Sequence, residues 1–315
     1  MKVVITGAGG FVGCALAQRL MADDTLQLVL VDTQLSQFEG LSDEKLSAGV
    51  RLVKGQLQDP AVRHEALKDG ADVLFHLAAV PGGAAEANPE LSKQVNLDAT
   101  LALFEEAAEV GNKPRVVFTS TIAVLGAPLP EVVTDDCRIQ PAMIYGTHKA
   151  MVELALADMS RRSVVDSVAV RLPGIVARPL APSGLKSAFM SNLFHALKAG
   201  DGFISPVSSK ATLWLMSVNQ CVTNLMHAAQ LDSGLMPASR VVTLPALRCT
   251  MGELSQAAAA QLKVSPGLVS YEPDADLEEH FGSHPALQTP AAERAGFAHD
   301  GSVAQLVCEA VAGLA

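Results

Sequence analysis

The sequence predicts an α/β protein built on a doubly wound, parallel sheet with a smaller C-terminal lobe. Three observations carry that expectation. Short Val- and Ile-rich runs alternate with longer stretches of helical periodicity through the first half of the chain. A glycine-rich turn joins the first run to the first helix, and an acid closes the second run. The 315 residues, 49% apolar and 18% charged, are enough to bury a sizeable core and exclude disorder for most of the chain.

The elements follow in order. KVVIT reads as the first strand and GFVGCALAQRLMA as the first helix; LQLVLVD and VRLVKG read as the next two strands. PAVRHEALKDG is a helix, DVLFHLA a strand and ELSKQVNLDATLALFEEAAEVG a long helix. After the strand PRVVFTS comes a second long helix around AMIYGTHKAMVELALADMSRR, and then the strand SVAVRL. Strands apolar on both faces and separated by helices belong to a parallel sheet covered on both sides. Past residue 173 the pattern loosens into LPGIVARPLAPSG, a helical SAFMSNLFHALKAG, one strand VVTLPAL at 241–247, and helices GELSQAAAAQLK and GSVAQLVCEAVAGL. The expected division is a first domain over 1–172, completed by the strand at 241–247, and an interleaved lobe over 173–315.

Charge and cysteine usage narrow the function classes. A net charge of −10 with no Lys/Arg run argues against nucleic acid and anionic membrane surfaces as partners. Five scattered cysteines, with no His/Cys cluster of metal spacing, fit reduced thiols in a cytoplasmic protein and no metal site. No run reaches the roughly 20 apolar residues that span a bilayer.

The glycine turn, ITGAGGFVGCAL, carries the first chemistry. Gly7 suits a tight turn, Gly10 a close backbone approach to a pyrophosphate, and Gly13 tight packing of helix on strand. The anion would sit on the helix N-terminus, which Phe11 and Val12 open. Asp32 ends the second strand at about the 20-residue offset where an acid hydrogen-bonds a ribose. Asp32 would repel a 2′-phosphate and no Arg follows it, so NAD is expected over NADP. A second pattern lies at Tyr145 and Lys149, four residues apart and so on one helix face. By itself it is equally what an exposed Tyr beside a solvated Lys would give.

Taken together, the motifs resemble the extended short-chain dehydrogenase/reductase family. They are T-G-x-x-G-x-x-G from Thr6 to Gly13, Asp59 in KGQLQD, HLAA at 76–79, Asn96 in VNLDAT, FTSTIAVLG and YGTHK. The resemblance implies a Rossmann-type domain holding NAD, with Leu57 or Gln58 and Asp59 flanking the adenine. It also implies that Ala78, Ala79 and Asn96 line the cofactor cleft and that Pro173 borders the nicotinamide. Tyr145 and Lys149 become the catalytic pair, and Thr121 the catalytic hydroxyl, with Ser120 a neighbour easily confused with it. A free phenol has a pKa of about 10, and an ammonium beside it favours the phenolate, which would serve as base.

Within the family, Gly174 and KATLWLMSVNQ depart from the nucleotide-sugar pattern. PSGLKSAFMSNLF, LWLMS, RVVTLPAL, TMGEL and TPAAERAGFAHDGS are instead similar to the D-erythronate dehydrogenases. That resemblance implies NAD-dependent oxidation of the C2 hydroxyl of a four-carbon sugar acid. The alternatives are a nucleotide-sugar epimerase or dehydratase, and an NAD-binding regulator without turnover. Arg178, Lys186, Ser187 and Asn192 are candidate anchors for a substrate carboxylate, and equally readable as loop charges and helix-start residues. Trp214 reads alternatively as core, and His148 and His76 as structural. The family also implies a homodimer formed through the helices at 90–110 and 142–161.

Overall fold

A computed structural model of the protein describes residues 1–38, 40–41, 49–111, 113–180 and 186–314. A seven-stranded sheet contains β1 (Lys2–Thr6), β2 (Gln27–Asp32), β3 (Val50–Lys54), β4 (Val73–His76), β5 (Arg115–Thr121), β6 (Asp166–Leu172) and β7 (Val241–Thr243), in spatial order 3-2-1-4-5-6-7. The pairs β1–β2, β2–β3, β1–β4 and β4–β5 are parallel, with Thr6 in register with both Val31 and His76. Chain order reverses at β1, and open α/β sheets place ligands outside the carboxyl ends of strands at such a reversal. Those ends carry Thr6, Asp32, His76 and Thr121.

Helices α1 (Phe11–Leu20), α2 (Pro60–Leu67), α3 (Thr100–Val110) and α4 (Ile144–Arg161) alternate with the strands. Their apolar stripes explain their placement. Leu103, Phe104 and Ala107 of α3 and Val152, Leu156 and Met159 of α4 share one core with Val4, Val31, Leu74, Val116 and Phe118 of the strands. The long helix read across 90–111 is not uniform, because residues Lys93–Ala99 form a π-helical turn before α3. The Thr100 hydroxyl donates to the Val95 carbonyl five residues back at 3.0 Å, which matches the widened turn.

By compactness the chain falls into two units. One comprises Met1–Val124, Pro141–Arg171 and Leu225–Val242; the other comprises Leu125–Gln140, Leu172–Asn224 and Thr243–Ala315. The second unit has its own sheet of strands Leu247–Thr250, Thr212–Ser217 and Gly174–Val176. Leu193, Phe194, Leu197, Leu213, Leu215, Leu254 and Leu306 build its core. Trp214 is a core residue there, its indole N–H bonded to the Pro285 carbonyl at 2.8 Å.

The run 241–247, expected as one strand, is interrupted. Val241–Thr243 joins the seven-stranded sheet, whereas Leu247–Thr250 pairs antiparallel with Thr212–Ser217. Pro245 lies between them and has no N–H to continue a ladder. The structure adds a helix, Val218–Gln230, whose Asn, Thr and Val residues are weak helix formers and hide it in the sequence. Among the described residues no helix is long and apolar enough to cross a membrane. The five cysteines are free thiols.

Candidate active site

The glycine turn is shaped as its chemistry requires. Gly7 takes φ +75°, and a Cβ there would lie 2.5 Å from the Ala78 nitrogen, so the loop after β4 lies directly against the turn. Ala78 and Ala79 lie half-buried in that loop. Gly13 lies against the Gly7 carbonyl, with no space for a side chain. At Gly10 a Cβ would meet only the Gly7 oxygen, at 3.3 Å, leaving that side of the backbone open to a ligand. No backbone carbonyl among the described residues accepts from the N–H of Phe11, Val12 or Gly13. These are the unbonded donors that a helix start presents to an anion. Asp32 closes the loop: its carboxylate accepts from Gly9 N at 2.9 Å and Gln34 N at 3.2 Å. A carboxylate has lone pairs left for further donors. The donor set and the open glycine face fit a dinucleotide.

Leu57 is buried and Asp59 caps α2, accepting from Ala61 N at 2.9 Å. Asn96 differs from expectation in how it contributes. Its oxygen accepts from Val80 N at 2.7 Å, and its amide hydrogens go to Val80 O at 2.9 Å and Ser92 Oγ at 3.1 Å. With both N–H bonds taken, its side chain braces the 78–80 loop from within the π turn. Ser92 in turn bonds His148 Nδ1 at 3.0 Å, so His148 is structural.

Tyr145 and Lys149 share one face of α4, with Lys149 Nζ 5.8 Å from the centre of the Tyr145 ring. The Lys149 side chain is only 2% exposed. Its ammonium donates to the Thr119 carbonyl at 2.7 Å and lies 4.5 Å from the Phe118 ring centre. Burial pushes its pKa down to about 7, with Glu153 acting in the opposite sense. Thr121 ends β5, and its Oγ1 accepts from Ala123 N at 3.1 Å. Gly146 brings the two elements together: a Cβ there would lie 2.5 Å from the Ala123 carbonyl oxygen, so only glycine lets α4 approach this turn so closely.

Ser120, expected near the substrate, commits its hydroxyl to a buried carboxylate. Successive strand residues face opposite sides. The Ser120 hydroxyl donates at 2.5 Å to Glu153, which is held by Arg171 through bonds of 2.9 and 2.7 Å. Glu153 is one turn beyond Lys149, so α4 carries a Tyr, Lys, Glu row along one face. Sequence reasoning missed Glu153, Arg171 and Gly146. The available signals were an arginine inside the otherwise apolar SVAVRL and a carboxylate continuing the four-residue spacing.

His76 ends β4 and is fully desolvated, with burial and the Lys149 charge driving its pKa well down. Thr100 donates to Val95, so it accepts from His76 Nε2–H at 2.9 Å, and Nδ1 then accepts from the Thr6 hydroxyl at 2.7 Å. The imidazole is neutral and structural, as expected.

The remaining candidates lie in the second unit. Pro173 is buried directly after β6. Arg178 donates from Nε to the Ile175 carbonyl at 3.3 Å, and its own carbonyl accepts from His195 at 2.6 Å. Lys186 pairs with Asp276 at 2.6 Å on the surface. Ser187 lies half-buried in a 3-10 turn, while Asn192 is on the exposed side of helix Phe189–Ala199. Residues 182–185 of PSGLKSAFMSNLF lie outside the described residues.

Comparison with known proteins places this geometry. The chain is 39% identical to a D-erythronate dehydrogenase from Cupriavidus necator over 98% of its length and 97% of that protein's. It is 35% identical to a D-erythronate dehydrogenase from Haemophilus influenzae, covering 81% of this chain and 80% of that one. A crystal structure of a nucleoside-diphosphate-sugar epimerase from Agrobacterium tumefaciens superposes with a TM-score of 0.88 at 33% identity, covering 98% and 92% of the two chains. Residues 3–230 match the family described as NAD dependent epimerase/dehydratase, and the chain belongs to that family.

Proposed function

We propose that this protein oxidises the C2 hydroxyl of D-erythronate to the 2-oxo acid, with NAD as its cofactor. The family and the dehydrogenase relatives make the chain an NAD-dependent oxidoreductase. The observation that carries the mechanism is the desolvated Lys149 ammonium, 5.8 Å from the Tyr145 ring on the same helix face. In this reading Gly7, Gly10, Phe11, Val12 and Gly13 hold the pyrophosphate and Asp32 the adenosine ribose. Leu57 and Asp59 flank the adenine, while Ala78, Ala79 and Pro173 line the remainder. NAD, when bound, supplies the hydride acceptor.

The chain's own residues manage the proton. Tyr145, as phenolate, takes the proton of the substrate hydroxyl. Lys149 favours that phenolate by its charge while Thr119 fixes the ammonium in place. Thr121 donates to the substrate oxygen as charge develops on it. Arg178, Ser187 and Asn192 are the candidates for substrate contacts in this reading.

A second reading, a nucleotide-sugar epimerase, is favoured by the Agrobacterium structure. Net NADH formation separates them, because an epimerase returns the hydride and releases none. Incubation with NAD and D-erythronate should raise NADH absorbance. No signal with any four-carbon acid, alongside turnover of a uridine diphosphate sugar, would overturn the dehydrogenase. Tyr145→Phe should keep NAD binding and lose most turnover.

The homodimer belongs to the same proposal. Val110 on α3 and Met151 and Leu154 on α4 are exposed, Leu154 to 69%, which suits burial against a second copy. Scattering mass in solution tests it. The free thiols are in keeping with a cytoplasmic location.

A further inference from the structure

We infer that Arg63 is a positioning residue for the adenine end of the cofactor site, acting through the loop that carries Leu57 and Asp59. Arg63 is on α2 and is 8% exposed. Its guanidinium bridges two elements: Nε donates to Glu106 of α3 at 2.6 Å, and Nη1 donates to the carbonyls of Leu57 at 2.7 Å and Gln58 at 3.3 Å. Three partners in two directions require a planar fork, which a lysine ammonium does not provide.

Among the described residues, backbone bonds at its two ends and the buried Leu57 side chain also restrain the loop. Gly55 N donates to the Asp32 carbonyl at 3.0 Å, and Asp59 N closes a turn on Gln56 O at 3.0 Å. One end of the loop is therefore fixed to the strand that ends in Asp32, and its middle is fixed by Arg63. An isolated exposed ion pair contributes little. Arg63 differs because its donors end on backbone carbonyls of the loop itself, beside the buried Leu57 side chain. Removing the fork leaves those carbonyls without their donor and frees residues 56–58 to shift. Tyr145, Lys149 and Thr121 are on α4 and β5 and keep their own hydrogen bonds. The expected signature is therefore weaker adenosine binding with unchanged chemistry.

This inference rests on the reading that Leu57 and Asp59 flank the adenine, and the test separates the two. ADP-ribose is titrated by calorimetry into wild type, Arg63→Met, Arg63→Lys, Leu57→Ala and Asp59→Ala, with kcat measured at saturating NAD. Losing two hydrogen bonds from a charged donor should raise the ADP-ribose Kd about tenfold in Arg63→Met. Arg63→Lys should fall between the two, and kcat should stay within about twofold in both variants. An ADP-ribose Kd within about twofold of wild type, or a kcat that falls in step with it, overturns the role of Arg63. If Arg63→Met does not fold, Arg63→Lys decides by the same limits. If Leu57→Ala and Asp59→Ala leave ADP-ribose binding untouched, the adenine lies elsewhere and both readings fall. If they weaken it and the Arg63 variants do not, only the present inference falls.

Discussion

Gly146→Ala tests how the base is placed. The added Cβ would lie 2.5 Å from the Ala123 carbonyl oxygen and 3.0 Å from its carbon, so α4 must withdraw by about half an ångström or the 122–124 turn must give way. Overpacking of this kind costs about 1–3 kcal/mol, offset by the roughly 1 kcal/mol that alanine gains over glycine inside a helix. The net loss of stability should be about 0–2 kcal/mol, leaving a folded protein. Activity should suffer more. Tyr145 is the adjacent residue, Thr121 lies just before the turn being pushed, and a misplacement of about 1 Å can cost on the order of a hundredfold in rate. Half that displacement suggests a fall in kcat of about tenfold, with the KM for NAD within about twofold. NADH absorbance at saturating NAD gives kcat, and urea unfolding gives the stability. A variant with wild-type kcat, or one whose loss equals its unfolded fraction, would refute the reasoning.

Three further outcomes are expected. Glu153→Gln leaves the buried Arg171 guanidinium without its carboxylate and should cost about 3–5 kcal/mol in denaturant unfolding; a loss under about 1 kcal/mol would show that the pair is not a sealed one. Ser120→Ala should lower stability by about 1–3 kcal/mol and leave the substrate KM unchanged, whereas Thr121→Val should abolish most turnover with an unchanged melting temperature; the reverse pattern would exchange their roles. The third concerns pH. Lys149 has a pKa of about 7 when folded, against an ordinary 10.5, so between those values the unfolded chain holds a proton that the folded chain lacks. This group therefore makes stability rise as pH increases through that window, by at most roughly 1.4 kcal/mol per pH unit. Lys149→Met should flatten the rise in unfolding midpoint between about pH 7.5 and about pH 9.5; equal slopes in the two proteins would count against the desolvated ammonium.

Much of the fold is legible in local pattern. The six strands read in the first 172 residues are strands, because each is a short, predominantly apolar run of the kind a covered parallel sheet accommodates. The NAD family reading, the parallel sheet and the dehydrogenase relatives agree with the motifs quoted from the sequence. Less was legible where function depends on what a side chain meets. Ser120 and Thr121 are adjacent and chemically alike, and only the strand's alternation sends one to Glu153. Asn96 was readable as a motif residue, but its use as a brace depends on a π turn whose i−5 spacing no periodicity scan reveals. Glu153 and Arg171 are far apart in sequence and meet only after β6 joins the sheet.

The carboxylate at the end of β2 has two duties, and they constrain each other. Asp32 sets which dinucleotide is admitted, in the proposed reading, and it also holds the Gly9 amide in the turn. A change that welcomes a 2′-phosphate by deleting the acid would at the same time untie the glycine loop. Conversion to NADP use therefore has to retain an uncharged acceptor at this position while adding a cation nearby. Two coordinated substitutions are needed, and the single intermediate between them would bind either coenzyme poorly.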